Sequence, residues 1–352
     1  MSCHLALSPA DRERKTRRTP LLACSLLLVT ALLGSGTAHA RAERASPSDA
    51  ADQARITAVR QLDARVLDLT VSSPAMGTSV PVRVILPRDW YTEPQATFPV
   101  LYMLHGGDDD YTSWTRETDI EALAERSDVL VVMPDAGRAG YYSDWRVGRP
   151  RWETFHTVEL VRLMERDFRA NASRAVVGLS MGGFGALNYA AHHPGMFRYV
   201  ASMSSYVDLD DPAARLSLLL GSRREGTDLK DVWGDPGENA DIWRAHNPSA
   251  MPAAFRGTTV HLSAGNGAPG PWDANRPRDA LLASTLAEAV LPRSTKRFAS
   301  SLRASGVSTT THFYAPGTHS WPYWKQELHR IWPAIEMTLE SGSAGSGTNL
   351  RP

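Results

Sequence analysis

The sequence predicts an α/β fold, in which a mostly parallel sheet is covered by helices on both faces. Strand-like segments alternate with segments of helical period between residues 61 and 340, the order typical of βαβ units. The segments 98–104 and 129–133 are apolar almost throughout, as expected of parallel strands buried on both faces. A length of 352 residues, of which 42% are hydrophobic, suits one large domain of this class.

The individual elements follow from local periodicity. Alternating apolar and polar residues over 65–71 and 80–86 predict two strands that pair in antiparallel fashion at the start of the domain. Apolar residues at helical spacing predict a helix over 154–168. The same criteria predict later strands at 175–177, 199–203, 260–263 and 309–314, and helices at 281–304 and 322–340.

Both ends of the chain differ from this domain. Residues 1–40 have a basic start, an apolar stretch over 21–33 and the small-residue sequence Ala-His-Ala at 38–40, which predicts a secretory signal peptide cleaved near Ala40. The mature protein is expected to be extracellular, without a transmembrane anchor. Residues 41–60 are interpreted as a flexible linker and 341–352 as a disordered tail, so the domain spans 61–340.

Composition excludes several function classes. The formal net charge is zero and no long basic run interrupts the domain, so we expect no nucleic-acid partner. Cys3 and Cys24 both lie in the predicted signal peptide. The mature chain is therefore expected to have no disulfide, no cysteine nucleophile and no metal site built from cysteines.

One serine stands between glycines where a strand pattern becomes a helix pattern. Residues 178–187 read Gly-Leu-Ser-Met-Gly-Gly-Phe-Gly-Ala-Leu and follow the apolar run at 175–177. The glycines could serve only the packing of a tight turn. The strand before them and the small-residue helix after them favour a nucleophile elbow that exposes Ser180.

A serine nucleophile needs a base and an acid that orients the base. Among eleven histidines, His319 follows the last predicted strand and precedes the last helix, where an α/β-hydrolase fold supplies its base. Three carboxylates between residues 263 and 319 are candidates for the acid. Asp273 and Asp279 lie in a proline-rich segment expected to be solvated, and Glu288 lies where Pro292 interrupts a helical pattern. The residues alone do not choose among them.

The developing oxyanion requires two backbone N–H donors. Met181 follows the nucleophile and supplies one. The segment Leu104-His105-Gly106-Gly107 ends a predicted strand, so the N–H of Gly107 is the candidate for the second. Elbow, base and oxyanion segment together predict an α/β-hydrolase fold in a single domain.

These motifs resemble those of the antigen 85 mycolyltransferases and their esterase D-like relatives. The matching segments span most of the mature chain and are Tyr-Ser-Asp-Trp at 142–145, Trp-Glu-Thr-Phe at 152–155, Gly-Leu-Ser-Met at 178–181, Asp-Val-Trp-Gly at 231–234 and Thr-His-Ser-Trp at 318–321. The resemblance implies that Glu288, 31 residues before His319, is the acid. It also implies that Asp208 contacts a sugar and that Trp321 lines the acceptor site.

The sequence departs from that family in the oxyanion segment. Where the family has Leu-Asp-Gly-Leu-Arg, this chain has Leu-His-Gly-Gly-Asp at 104–108. An aspartate and an arginine that help the family hold trehalose are therefore missing. The chemistry is expected to carry over, but trehalose and mycolate specificity is not.

The sequence thus predicts a secreted serine esterase or acyltransferase. An acyl group would move from a lipid or other ester, through an acyl-serine, to a sugar or glycerol-type hydroxyl or to water, without metal or cofactor. One alternative is a general secreted carboxylesterase or carbohydrate esterase. A less favoured one is an adhesive protein on the same fold, against which the three ordered residues Ser180, Glu288 and His319 argue.

Overall fold

The computed structural model describes residues 53–344, which form one nine-stranded sheet in the order β1-β2-β3-β5-β4-β6-β7-β8-β9. The strands are β1 (Arg55–Gln61), β2 (Val66–Ser73), β3 (Thr78–Ile85), β4 (Phe98–Leu104), β5 (Leu130–Pro134), β6 (Ala170–Leu179), β7 (Tyr199–Met203), β8 (Thr259–Gly265) and β9 (Thr309–Tyr314).

Strand direction divides the sheet into two parts. β1, β2 and β3 form an antiparallel meander, and β3 pairs antiparallel with β5. The six strands from β5 to β9, with β4 between β5 and β6, are all parallel. The expectations of a mostly parallel sheet and of an antiparallel opening pair are both confirmed.

Helices lie on both faces because successive residues of the central strands point to opposite sides. In β4, Val100 and Tyr102 join one apolar core, whereas Leu101 and Met103 join the other. The helices are α1 (Ser113–Glu117), α2 (Ile120–Ala124), α3 (Trp152–Thr154), α4 (Leu160–Asp167), α5 (Met181–His192), α6 (Pro212–Arg224), α7 (Leu229–Trp233), α8 (Ala240–Ala245), α9 (Arg278–Ala289), α10 (Leu291–Ala304) and α11 (Trp321–Ala344).

The two faces are closed by different parts of the chain. α1, α2 and α11 cover the Leu101 face. Residues from α4 to α8 and from α10 pack on the other face. A single π-helical turn, Phe155–Glu159, joins α3 to α4 and makes them one continuous helical segment.

Three predicted boundaries are wrong. Residues 55–60, assigned to the linker, belong to β1, an exposed edge strand whose polar residues give little alternation. The helix expected over 281–304 is two helices, because Pro292 at the start of α10 has no N–H and would clash with the turn before it. Residues 341–344, assigned to the tail, still belong to α11.

Other boundary predictions cannot be compared with the structure. The signal peptide, linker residues 41–52 and tail residues 345–352 lie outside the described residues. Within 53–344, no helix combines the length and the hydropathy needed to cross a membrane.

Candidate active site

Ser180 occupies a strained turn between β6 and α5. Its backbone has φ 52° and ψ −120°, a region that non-glycine residues rarely adopt. Gly178 and Gly182 make the turn possible through close packing. A Cβ on Gly178 would overlap the backbone of Gly182, and a Cβ on Gly182 would overlap the carbonyl oxygen of Leu104. The serine is thus held at the carboxyl end of the central strands by backbone-to-backbone contact.

His319 reaches this serine from the loop between β9 and α11. Its Nε2 atom lies 2.9 Å from the Oγ atom of Ser180. The backbone N–H of His319 donates to the carbonyl of Ser284, 3.2 Å away, which fixes the loop against α9. The indole ring of Trp324 packs edge to face on the imidazole, with ring centroids 4.9 Å apart. The imidazole is therefore held from two sides.

Glu288 lies on the other side of the imidazole. Its Oε2 atom accepts a hydrogen bond from Nδ1 of His319 at 2.7 Å. Its Oε1 atom accepts from the N–H of Gly265 at 2.6 Å and from the hydroxyl of Ser204 at 2.7 Å. The residue is fully buried. Because all three partners donate, the site is shaped for a carboxylate and sets the Nδ1–H tautomer of His319.

Sequence reasoning did not single out the groups that hold Glu288. The hydroxyl of Ser204 donates to Glu288 and accepts from the Nε1 atom of Trp324 at 3.0 Å. Trp324 therefore supports Glu288 through Ser204 and contacts the imidazole of His319 directly. The position of Trp324 shortly after His-Ser-Trp was the one sequence feature that could have indicated a role for this residue at the site. Its contact with Ser204 joins residues 120 positions apart, which the local sequence does not reveal.

The loop after β4 passes beside the serine. A Cβ on Gly106 would lie 3.5 Å from the Cβ of Ser180. Among the residues that the structure describes, neither the N–H of Gly107 nor that of Met181 donates to a protein acceptor. Met181 is the first residue of α5, where backbone N–H groups have no partner within the helix. Both N–H groups are thus free to receive a ligand oxygen.

His105 fixes the conformation of this loop. Its Nε2 atom accepts the N–H of Ala136 at 2.9 Å, so Nδ1 carries the proton and donates to the carbonyl of Gly106 at 2.7 Å. The hydroxyl of Tyr142 donates to the carbonyl of His105 at 2.9 Å. The histidine that replaces an aspartate of the resembled family is a buried structural residue here.

Comparison with known proteins identifies the family. The family model described as "Putative esterase" matches residues 73–335. Diacylglycerol acyltransferase/mycolyltransferase Ag85B of Mycobacterium leprae is 32% identical over 289 residues, which cover 77% of this chain and 83% of that protein. The Ag85A protein of the same organism is 30% identical over 287 residues, with 77% and 82% covered. The chain belongs to the antigen 85-type esterase family.

Solved structures agree on the fold of this esterase. The crystal structure of Mycobacterium tuberculosis MPT51 (FbpC1) superposes with a TM-score of 0.66 at 24% identity, covering 79% of this chain and 100% of that chain. An S-formylglutathione hydrolase from Agrobacterium tumefaciens gives 0.63 at 15% identity, covering 81% and 99%. The α/β-hydrolase fold is therefore confirmed, and the esterase family assigns the chain an esterase or acyltransferase role.

The other two candidate acids do not contact His319. Asp279 is exposed in the first turn of α9. Asp273 was expected in a solvated loop, and that expectation is wrong, because its side chain is only 1% exposed. It accepts hydrogen bonds from Thr318 Oγ1 at 2.8 Å and from the hydroxyl of Tyr323 at 2.7 Å.

Asp273 thus anchors both sides of the histidine loop. Burial acts to raise the pKa of its carboxyl group, but hydrogen bonds from Gly270, Tyr323 and Thr318 outweigh burial and lower that pKa. The residue is an ionised structural anchor next to the base. Its partners lie 45 and 50 residues further along the chain, which the local sequence does not reveal.

Asp208 and Trp321, which the resemblance connected with the acceptor, occupy different places. Asp208 pairs with Arg297 at 3.1 Å, accepts from Ser249 at 3.0 Å and borders a pocket of about 490 Å³. Trp321 is half-buried and packs edge to face on Trp324, with ring centroids 5.4 Å apart. Trp321 is therefore one ring away from His319, whereas Asp208 is held in a polar cluster with Arg297 and Ser249.

Proposed function

We propose that this esterase transfers acyl groups through a covalent acyl-Ser180 intermediate. The observation that carries the proposal is the hydrogen-bonded chain from Ser180 through His319 to Glu288, with distances of 2.9 and 2.7 Å. In this role Ser180 is the nucleophile, His319 the general base and Glu288 the acid that orients it.

The first half-reaction forms the acyl-enzyme. Ser180 Oγ attacks the ester carbonyl while its proton moves to Nε2 of His319. The carboxylate of Glu288 stabilises the imidazolium that results, and the N–H groups of Gly107 and Met181 receive the oxyanion. When the tetrahedral intermediate collapses, the alkoxide of the substrate leaves as an alcohol with the proton from His319.

The second half-reaction uses the same groups in reverse. His319 removes a proton from an acceptor hydroxyl, whose oxygen attacks the acyl carbon. When the second tetrahedral intermediate collapses, the bond to Ser180 Oγ breaks and His319 returns the proton to that oxygen. Water as acceptor gives an acid, and a sugar or glycerol-type hydroxyl gives a new ester. The names of the antigen 85 relatives describe transfer to diacylglycerol and transfer of mycolyl groups, which favours a lipid acyl donor here.

The structure offers less support for trehalose as the acceptor. Position 105 carries a buried histidine that holds the loop, and position 108 carries an aspartate paired with Arg138. Neither residue reproduces the aspartate and arginine of the resembled family. We therefore propose an esterase with broad acceptor use, for which Asp208 and Trp321 are the proposed substrate contacts.

Turnover of p-nitrophenyl butyrate tests the nucleophile. We expect Ser180→Ala to lower kcat by about 10⁴-fold to 10⁶-fold while the protein remains folded. Ser300→Ala, an exposed serine on α10, is the matched control and should turn over normally. Acid quenching should trap one acyl adduct on Ser180 by mass spectrometry. Normal turnover by folded Ser180→Ala would refute the acyl-serine mechanism.

Product analysis distinguishes hydrolysis from transfer. p-Nitrophenol release counts every acylation, and the free acid counts only hydrolysis, so the difference is acyl transfer. Glycerol and trehalose are added separately at equal hydroxyl concentration. A new ester with either acceptor supports transferase activity, and complete conversion to acid supports the carboxylesterase alternative.

We also propose that the protein is exported with cleavage near Ala40. The basic start, apolar stretch and small residues of 1–40 support this proposal. N-terminal sequencing of the secreted protein should find Arg41 at or near the first position. Residues 21–24, Leu-Leu-Ala-Cys, look like a lipidation site, so a mature protein that begins with a lipid-modified Cys24 would refute the proposal.

A further inference from the structure

A carboxyl group lies against the loop that carries the oxyanion donor. Glu225 follows the last turn of α6, and its side chain extends toward Gly107. A Cβ on Gly107 would lie 2.5 Å from Oε1 of Glu225 and 2.9 Å from Oε2. A side chain at position 107 would displace this carboxyl group from its present place, so the glycine allows the close approach.

The two oxygens of Glu225 differ in their surroundings. Oε2 accepts a hydrogen bond from the hydroxyl of Tyr141 at 3.2 Å. Oε1, the atom nearer to Gly107, accepts no hydrogen bond from any residue in the described range 53–344. The side chain is partly buried, but Oε1 itself remains accessible to solvent. Oε1 is therefore an open acceptor beside the loop where the ester is proposed to bind.

This oxygen does not suit the oxyanion itself. A carboxylate beside a developing negative charge raises the energy of the transition state, because like charges repel. A substrate hydroxyl has the opposite effect, since its O–H donates to Oε1 and separates the carboxylate from the oxyanion. The free oxygen at this position thus fits a donor group on the substrate.

We propose that Glu225 is a specificity-determining residue whose Oε1 atom accepts a hydrogen bond from a substrate hydroxyl close to the scissile ester. The proposal rests on the acyl-serine function and specifies its substrate class as hydroxylated esters. The hydroxyl belongs either to the acyl group or to the alcohol group, and the test below separates these two sources.

The charge on Glu225 changes near neutral pH. Burial raises the pKa of its carboxyl group to about 7, although Tyr141 donates to it. Asp108 raises that pKa further, and Arg224 and His319 lower it. An ionised acceptor binds a hydroxyl more strongly than a neutral one. We therefore expect the preference for hydroxylated esters to increase between pH 6 and pH 8.

Two substrate pairs test the proposal. p-Nitrophenyl 3-hydroxybutyrate against p-nitrophenyl butyrate probes the acyl side, and 1-monobutyrin against propyl butyrate probes the alcohol side. For each pair, the ratio of kcat/KM values measures the preference. In at least one pair, we expect Glu225→Leu to lower this ratio by about tenfold to a hundredfold, the range expected for a hydrogen bond to a charged group. Glu225→Gln, which keeps a neutral acceptor oxygen, should retain part of the preference and lose its dependence on pH.

Glu238→Leu, an exposed glutamate, is the matched control and should leave both ratios unchanged. If Glu225→Leu does not fold, Glu225→Ala makes the same comparison. Equal ratios in the wild type and the apolar variant for both pairs, with butyrate turnover intact, would overturn the proposal. Absence of turnover with all four esters in the wild type would instead refute the acyl-serine function.

Discussion

Replacing Glu288 by glutamine tests the role of the acid most directly. The carboxylate receives three donors, from His319, Gly265 and Ser204. Glutamine has one acceptor oxygen and one NH₂ group, so it cannot satisfy all three. The backbone N–H of Gly265 cannot change its role, so the amide oxygen should turn toward Gly265.

This orientation reverses the tautomer of the base. The NH₂ group then faces Nδ1 of His319, which must accept and moves its proton to Nε2. An imidazole protonated at Nε2 cannot remove the proton of Ser180. The equivalent tautomer change in a serine protease costs about 10⁴-fold in kcat, or roughly 5 kcal/mol of activation free energy. We expect a loss of the same order for Glu288→Gln.

The assay is kcat for p-nitrophenyl butyrate, with circular dichroism and thermal unfolding to establish that the variant is folded. Asp279→Asn is the matched control, because Asp279 is an exposed carboxylate in the first turn of the same helix. Its kcat should stay within about twofold of the wild type, as for surface changes in general. A folded Glu288→Gln enzyme that keeps more than about a tenth of wild-type kcat would refute the assigned role.

Three further predictions concern packing, the histidine loop and pH. Gly182→Ala should lower the free energy of unfolding by about 1 to 3 kcal/mol, because the new Cβ meets the backbone of β4. Gly221→Ala, which has open space around it, should raise the free energy of unfolding by up to about 1 kcal/mol. Urea unfolding measures both variants, and similar effects of the two changes would contradict the prediction. Asp273→Asn should lower the free energy of unfolding by about 1 to 3 kcal/mol and kcat by about tenfold, because an amide cannot accept from Gly270, Thr318 and Tyr323 at once. Unchanged stability and kcat would show that Asp273 is not needed to hold the histidine loop. Burial lowers the pKa of His156 to about 3, below its value near 6.5 in the unfolded chain. The contribution of the neutral His156 to the free energy of unfolding is therefore complete above pH 6.5 and is lost as pH falls toward 3. Between pH 6.5 and 5, the stability of the wild type should therefore fall more steeply than that of His156→Gln, by about 1 kcal/mol per pH unit on average, and parallel slopes in urea unfolding would disprove this cause.

Local sequence signals were sufficient wherever one segment determines its own structure. The strands at 98–104, 199–203 and 309–314 have the predicted bounds because short apolar or alternating runs define them. The placement of Ser180 and His319 followed from the order of elements along the chain. β1 was missed because an edge strand needs no apolar face.

Long-range contacts set the limit of that reasoning. The segment around Asp273 is polar and rich in proline, so its composition indicates a solvated loop. It is buried because Thr318 and Tyr323, from the loop and helix that follow β9, fold over it. Likewise, the sequence left three acids open until the family resemblance favoured Glu288. The carboxylates differ in their three-dimensional partners and not in their neighbours along the chain.

The position of α11 has a consequence for biosynthesis. This last helix covers the Leu101 face of the central strands, and the loop before it carries His319. A nascent or C-terminally trimmed chain that ends before residue 319 lacks the proposed base, and only α1 and α2 remain to cover the Leu101 face of the sheet. We therefore expect esterase activity to appear only after the C-terminal segment has been synthesised and has packed on the sheet.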